Sequence, residues 1–184
     1  MNFLLQSIPG PVLIKPNPFV DKRGFFLESY RRDLFKEKIG YDVNFVQDNE
    51  SKSMKGVLRG LHFQLPPDAQ SKLVRVIHGI VLDIAVDIRK ASPTFGKHIA
   101  VELNEFNKHQ LFIPKGFAHG FVVLSDTAIF SYKVDSYYSP SSERGIAFDD
   151  EQLAIDWMLP KKDLKLSKKD QNYPKLKDLE DCFL

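Results

Sequence analysis

The stretch Lys72–Lys90, "KLVRVIHGIVLDIAVDIRK", decides the fold. It is dense in β-branched residues, is broken once at His78-Gly79, and repeats its apolar positions at every second residue rather than at helical spacing. Two strands joined by a tight turn are the expectation. In the second run Leu82, Ile84, Val86 and Ile88 fall on one face and Asp83, Ala85 and Asp87 on the other, which marks the first face as core. Downstream, "NEFNK", "IPKGFAHG" and "LSDTA" space further strands at the interval of a sandwich or barrel. Along the strand His119 to Val123, His119, Phe121 and Val123 share a side, as do Phe130, Tyr132 and Val134 further on. Titratable groups among apolar neighbours suit a barrel mouth that holds a ligand. Upstream, "RRDLFKEKIG" (Arg31–Gly40) carries Leu34, Phe35 and Ile39 in a polar setting and ends in glycine, the pattern of one short helix. The Lys-rich end "LPKKDLKLSKKDQNYPKLKDLEDCFL" reads, by composition alone, as a solvated helical tail.

Composition narrows the setting. At 184 residues, 43% hydrophobic and 12% aromatic, the chain can bury one good core and is expected to hold one domain. A net charge of +2, from 26 basic and 24 acidic residues, gives no field that would point to nucleic acid or an anionic membrane, so an anionic partner must be held locally. Cys182 is the only cysteine, which removes any internal disulfide and favours a reducing compartment. The opening "MNFLLQSIPGPV" lacks a cationic n-region and no run approaches 18 apolar residues, so a cytoplasmic location is expected. Leu82–Ile88 and Ile99–Leu103 carry more apolar positions than a sheet with one wet face needs, which predicts a partner sheet and a dimer.

The segment "GVLRGLHFQLPPDAQSKLVRV" (Gly56–Val76) sets Arg59, His62 and Lys72 close together along strands. Three chemistries could use such groups. A metal site would need about three converging ligands, commonly a His-x-His pair, but the chain reads His62-Phe63-Gln64. A hydrolytic nucleophile lacks its strand-turn-helix motif, and Cys182 lies near the end of the chain. Proton abstraction beside a carbonyl needs a neutral base, a cation aimed at the developing enolate oxygen, and an acid on the opposite face, and His, Lys and Tyr are suitable types. His78, His98 and His109 stand in turn-like or polar surroundings and are assigned to the surface.

The ordered blocks "GVLRGLHFQ", "AQSKLVRVIHG", "DIAVDIRKASPTFGKH", "FIPKGFAHGFVVLSD", "YKVDSYYSPSSERGI" and "LSKKD", spread from about Pro18 to Asp170, resemble the dTDP-4-dehydrorhamnose 3,5-epimerases of the cupin superfamily. The resemblance implies an all-β cupin-type jelly-roll sandwich with a few short peripheral helices, spanning 1–184, with the segment 160–184 packing back to supply Lys168 and Asp170. It implies a homodimer without cofactor or metal that inverts C3 and C5 of a dTDP-4-keto-6-deoxy sugar on the way to dTDP-L-rhamnose, the alternatives being a single-carbon epimerase or 3,4-ketoisomerase on a related sugar nucleotide, or a non-catalytic sugar-nucleotide-binding cupin. Position by position, it implies that His62 is the base, Asp170 the carboxylate that orients it, Lys72 the cation beside the C4 oxygen and Tyr132 the acid. Arg23, Glu28, Gln47, Asp48, Asn49, Arg59, His119, Glu143 and Lys168 match positions that hold the sugar nucleotide, and Tyr138 the residue that stacks on thymine. Asp83, facing the same side, is expected to orient His119.

Overall fold

The computed structural model describes residues 1–183. Its strands are β1 (Asn2–Leu5), β2 (Val12–Lys15), β3 (Phe19–Asp21), β4 (Gly24–Phe26), β5 (Gln47–Met54), β6 (Leu58–Gln64), β7 (Lys72–His78) and β8 (Ile80–Asp87). They continue with β9 (His98–Asn104), β10 (Gln110–Ile113), β11 (Phe117–Val123), β12 (Thr127–Val134) and β13 (Glu143–Gly145). Lys72–Lys90 does divide at His78-Gly79. Gly79 sits at φ 81°, and a Cβ there would lie 2.1 Å from the Thr127 carbonyl oxygen, so only glycine fits the turn. The helix α1 (Arg32–Ile39) ends at Gly40, whose left-handed backbone donates its N–H to the Lys36 carbonyl.

Antiparallel pairing builds a six-stranded sheet, β1-β2-β10-β7-β12-β5, against a five-stranded one, β13-β6-β11-β8-β9. Between them lie Val74, Val76, Val81, Ala85, Leu111, Ile113, Phe121 and Phe130. On the outer face of the larger sheet, Phe35 of α1 meets Phe112 edge-on at 5.1 Å, beside Val12, Ile14 and Leu73. The hairpin β3-β4 forms a separate two-stranded sheet.

Strand β8 is buried on both faces, and the face that the alternation marked as core is the outer one. Leu82, Ile84, Val86 and Ile88 pack under Ile146, Leu153, Trp157, Leu176 and Leu179, while Asp83 and Ala85 point between the sheets. The covering expected from a partner sheet is therefore supplied by the chain's own C-terminal third. Ile99 and Leu103 of β9 face the core between the sheets, so that strand leaves no apolar excess either. Nor is the Lys-rich end a solvated helix. It runs as short 3-10 turns, Lys161–Asp163, Asp170–Asn172 and Leu176–Asp178. The Asp150 carboxylate pins it by accepting the Leu176 N–H at 2.6 Å, and the Trp157 ring nitrogen donates to the Phe148 carbonyl. Burying each large apolar side chain contributes about 1.5–3 kcal/mol, and Lys161, Lys169 and Lys175 in between keep their ammonium groups paired with carboxylates at the surface. Among the described residues no helix is long and apolar enough to cross a membrane.

Candidate active site

Side chains that point between the sheets change character along the strands. On β7 the inward residues run Val76, Val74, Lys72, and on β12 Ala128, Phe130, Tyr132. Asn49 of β5 stands opposite Tyr132 in the ladder and Gln47 opposite Val134, so the polar ends gather at one mouth. On β6 the parity breaks. Arg59 and His62, three apart, both face inward because the β6-β11 register shifts between the pairs His119-His62 and Phe121-Arg59. The break falls at Gly60 (φ 128°), where a Cβ would lie 2.5 Å from the Gly120 Cα. Two glycines let the strands touch there, and the histidine turns toward the cavity.

The cavity has two adjoining lobes of about 300 and 350 Å³ that share Asn49, His62, Lys72 and Tyr132. One lobe adds Gln47, Gln64, Gln70, Tyr138 and Glu143; the other adds Arg59, His119, Phe121, Ser167, Lys169 and Asp170. His62 Nε2 lies 2.5 Å from Asp170 Oδ1, and the other carboxylate oxygen accepts from Ser167 Oγ at 2.7 Å. Burial pushes the Asp170 carboxyl upward, but the hydrogen bonds from His62 and Ser167 outweigh it and hold it below the ordinary carboxylate value. A carboxylate at Nε2 fixes the proton there and leaves the lone pair on Nδ1, the arrangement of a general base.

A second pair lies deeper. Asp83 is fully buried, and its two oxygens are 3.0 and 3.1 Å from His119 Nε2. Burial raises the Asp83 carboxyl and lowers the His119 imidazole, so both charged forms are disfavoured. Lys72 also feels burial first; Asp83 and Glu143 oppose it, and the ammonium is lowered to about 8. Burial raises the Tyr132 hydroxyl, which stays protonated at neutral pH. At the mouth, Gln64 accepts from the Ser139 N–H and donates to the Tyr137 carbonyl, bracketing Tyr138. Tyr138 donates to Glu143 at 2.7 Å, and Glu143 also pairs with Lys169. Burial pushes the Glu143 carboxyl up, but Lys169 and Tyr138 outweigh it and bring it down.

Four expected site residues lie elsewhere. Asp48, between two inward neighbours, takes the opposite face of β5 and pairs with Lys133 at 2.8 Å. Arg23 sits on the β3-β4 hairpin, its guanidinium engaged by Asp21, and Glu28 follows that hairpin, so neither lines the cavity of its own chain. Lys168 is exposed and uses its carbonyl to accept from Asn172, whereas Lys169 faces the cavity. Among the described residues no group of three His, Cys, Asp or Glu side chains converges as a metal site would require.

A family model described as dTDP-4-dehydrorhamnose 3,5-epimerase matches residues 6–178. The chain belongs to this family. It is 53% identical over 180 residues to the dTDP-4-dehydrorhamnose 3,5-epimerase of Shigella flexneri, covering 98% of each chain. Against the crystal structure of dTDP-6-deoxy-D-glucose-3,5-epimerase from Legionella pneumophila Philadelphia 1, in complex with dTDP-4-keto-L-rhamnose, the TM-score is 0.94 at 49% identity, covering 97% of this chain and 94% of that one. The dTDP-4-dehydrorhamnose 3-epimerase of Streptomyces niveus is more distant, 37% identical over 178 residues that cover 97% of this chain and 85% of that one. The all-β cupin-type fold read from the sequence holds for this member of the epimerase family. Reading the sequence alone missed Gln64, Gln70, Ser167 and Lys169 in the cavity wall. For Gln64 a signal existed, since it alternates with His62 on β6. The others depend on how loops and the C-terminal segment fold back, which no local pattern encodes.

Proposed function

We propose that the protein epimerises C3 and C5 of dTDP-4-dehydro-6-deoxy-D-glucose, giving dTDP-4-dehydro-L-rhamnose. The observation that carries this reading is the meeting of the His62–Asp170 pair, Lys72 and Tyr132 around one cavity. His62 Nδ1 takes a proton from a carbon next to the C4 ketone, and the freed C–H electron pair moves into a C–C double bond while the C4 oxygen becomes an enolate. Asp170 stabilises the imidazolium through Nε2–H. The Lys72 ammonium faces the enolate oxygen, where charge appears only as the bond breaks, so its contribution falls on the transition state. Tyr132 returns a proton from the opposite face; the electron pair re-forms a C–H bond of inverted configuration, and the ketone is restored. Solvent then resets the His62 and Tyr132 protonation states.

Arg59 has the planar fork that suits a diphosphate, Gln47 and Asn49 offer amides to the sugar, and Tyr138, at the open mouth, suits stacking on thymine, worth about 1–3 kcal/mol. His119 and Asp83 would hold the sugar from below, and Glu143 and Lys169 would close the mouth. The chain acts as a homodimer in this reading. Phe19, Val20, Phe25 and Phe26 of the hairpin are 57–75% exposed, a patch that an isolated chain would leave in water. A hairpin laid over a second copy would bury it and carry Arg23 and Glu28 to the partner's cavity. Co-expressing Arg23→Ala and His62→Asn chains should then restore activity that neither has alone, because one site of each mixed dimer is intact. We place the reaction in the cytoplasm, since Cys182 is free and the fold needs no oxidising compartment.

The deciding measurement is proton NMR of the purified protein in D2O with dTDP-4-dehydro-6-deoxyglucose. Deuterium should enter at both C3 and C5, with inversion at each. Exchange confined to C3 would make the protein a single-carbon epimerase, and no exchange would remove the epimerase reading.

A further inference from the structure

The short turn that brings Asp170 to His62 also brings a second group. Tyr173 directly follows the turn Asp170–Asn172, and its ring meets the His62 imidazole edge-on, with centroids 5.6 Å apart and planes at 66°. Space for it is left by Gly145, the residue opposite His62 in the β13-β6 ladder, where a Cβ would lie 2.5 Å from the tyrosine ring carbons. The next residue is fixed in place, since the Pro174 carbonyl accepts the Ala147 N–H at 2.8 Å. The Tyr173 hydroxyl is buried and makes no close hydrogen bond among the described residues, with the Lys169 ammonium as its charged neighbour. Nothing in the reaction as derived above uses this side chain.

We infer that Tyr173 is a positioning residue whose ring holds the His62 imidazole and shields the His62–Asp170 hydrogen bond from water. Two physical effects combine. An edge-to-face contact is directional, so it restricts rotation of the imidazole about its Cβ–Cγ bond. Apolar carbon against the imidazole keeps the surroundings poorly polarisable, where a charge-assisted hydrogen bond is stronger and orients its donor more tightly. The ring, rather than the hydroxyl, performs this work. The hydroxyl bonds neither His62 nor Asp170, and burial raises it so that it stays neutral, with Lys169 opposing that rise. Asp170 and Tyr173 thereby act from one segment, which sets the imidazole in both angle and tautomer.

The inference rests on His62 being the base, and its test separates the two. In the free enzyme, the proton shared by His62 and Asp170 should give a far-downfield NMR signal in the wild type and in Tyr173→Phe. That signal should be broadened by solvent exchange in Tyr173→Ala and in Tyr173→Leu, which keeps part of the apolar volume without a flat edge and protects against a simple folding failure. With substrate, kcat should fall about 10–100-fold in the Ala and Leu variants at unchanged dTDP affinity, the size expected of a misplaced catalytic group. Tyr173→Phe should retain the wild-type rate. Wild-type kcat and an unaltered signal in Tyr173→Leu would overturn the inference, as would a loss in Tyr173→Phe equal to that in Tyr173→Ala. If the wild type moved no deuterium into its substrate, the proposed reaction would fall, and the proton signal would still judge the role of Tyr173.

Discussion

Two histidines stand opposite each other across the β6-β11 ladder, His62 and His119, and each holds a carboxylate. Their environments part at that point. The His62 side chain is 29% exposed and borders both cavity lobes, while His119 is 8% exposed and its aspartate fully buried. Asp170 accepts from His62, Ser167 Oγ and, through Ser167, is tied to its own turn; Asp83 has His119 as its hydrogen-bond partner. The first carboxyl is lowered and the second raised. The same two residue types thus give a base in one place and a buried support in the other; deep burial raises Asp83, while shallower burial and a second donor let Asp170 stay low.

The sharpest way to break that contrast is to remove the exposed histidine. His62→Asn should abolish turnover, a loss of at least about 10²–10⁴-fold for general-base catalysis, with dTDP binding nearly intact. His119 is a poor replacement, since it lies deeper, 8% exposed, and burial disfavours the imidazolium that proton abstraction would form there. Deuterium entering C5 at the wild-type rate in His62→Asn would move the base elsewhere, His119 first. Next in size are the carboxylates. An asparagine at 170 can offer its NH2 to Nε2, which forces the imidazole proton onto Nδ1, where the lone pair is needed; a loss of up to about 10⁴-fold in kcat is expected. Asp83→Asn should cost about 10–100-fold, the range for a group that acts through another. Equal losses in the two variants would erase the distinction.

Lys72 lies between the pairs, and its proton is a smaller handle. With the ammonium lowered to about 8, kcat/KM should decline as pH rises through that value, because the neutral amine no longer faces the enolate with a charge. In Lys72→Arg the guanidinium stays charged, so this alkaline limb should vanish even though the rate is reduced. A limb near pH 8 that survives in the Arg variant belongs to another group.

Much of this was legible before any coordinate. The β7-β8 division at His78-Gly79 and helix α1 with its glycine stop follow from local patterns, and they appear where the patterns put them. Alternation assigned the two faces of β8 correctly as sets and one of them correctly as core, but it could not say that this core lies under the C-terminal third rather than between the sheets, because a strand covered on both sides offers no wet face to compare. Asp48 shows a similar limit. Period two turns it away from Gln47 and Asn49, so the strand pattern itself argued against grouping the three. The shared orientation of Arg59 and His62 needed the irregularity at Gly60, which no periodicity contains. The C-terminal segment was the least readable part, since its lysines dominate the composition while Leu176, Leu179 and Asp170 do the packing.

The smallest expected effect is on stability, and it has opposite signs for the two carboxylates. Asp170 titrates lower in the fold than the ordinary carboxyl value of 3.8, so its stabilisation is present above 3.8 and is lost as pH falls through the folded value. Asp83 titrates higher in the fold, so its favourable state is the protonated one, fully present below 3.8 and lost as pH rises through the folded value. Replacement by asparagine removes each dependence. Between pH 3 and 7, at fixed protein concentration, Tm of Asp170→Asn relative to wild type should therefore drift downward with rising pH, while that of Asp83→Asn drifts upward. Each unit of pKa difference is about 1.4 kcal/mol, or roughly 3–5 °C for a chain of this length. Two drifts of the same sign would mean that the carboxylates share one electrostatic setting, and the contrast between the two histidines would then rest on exposure alone.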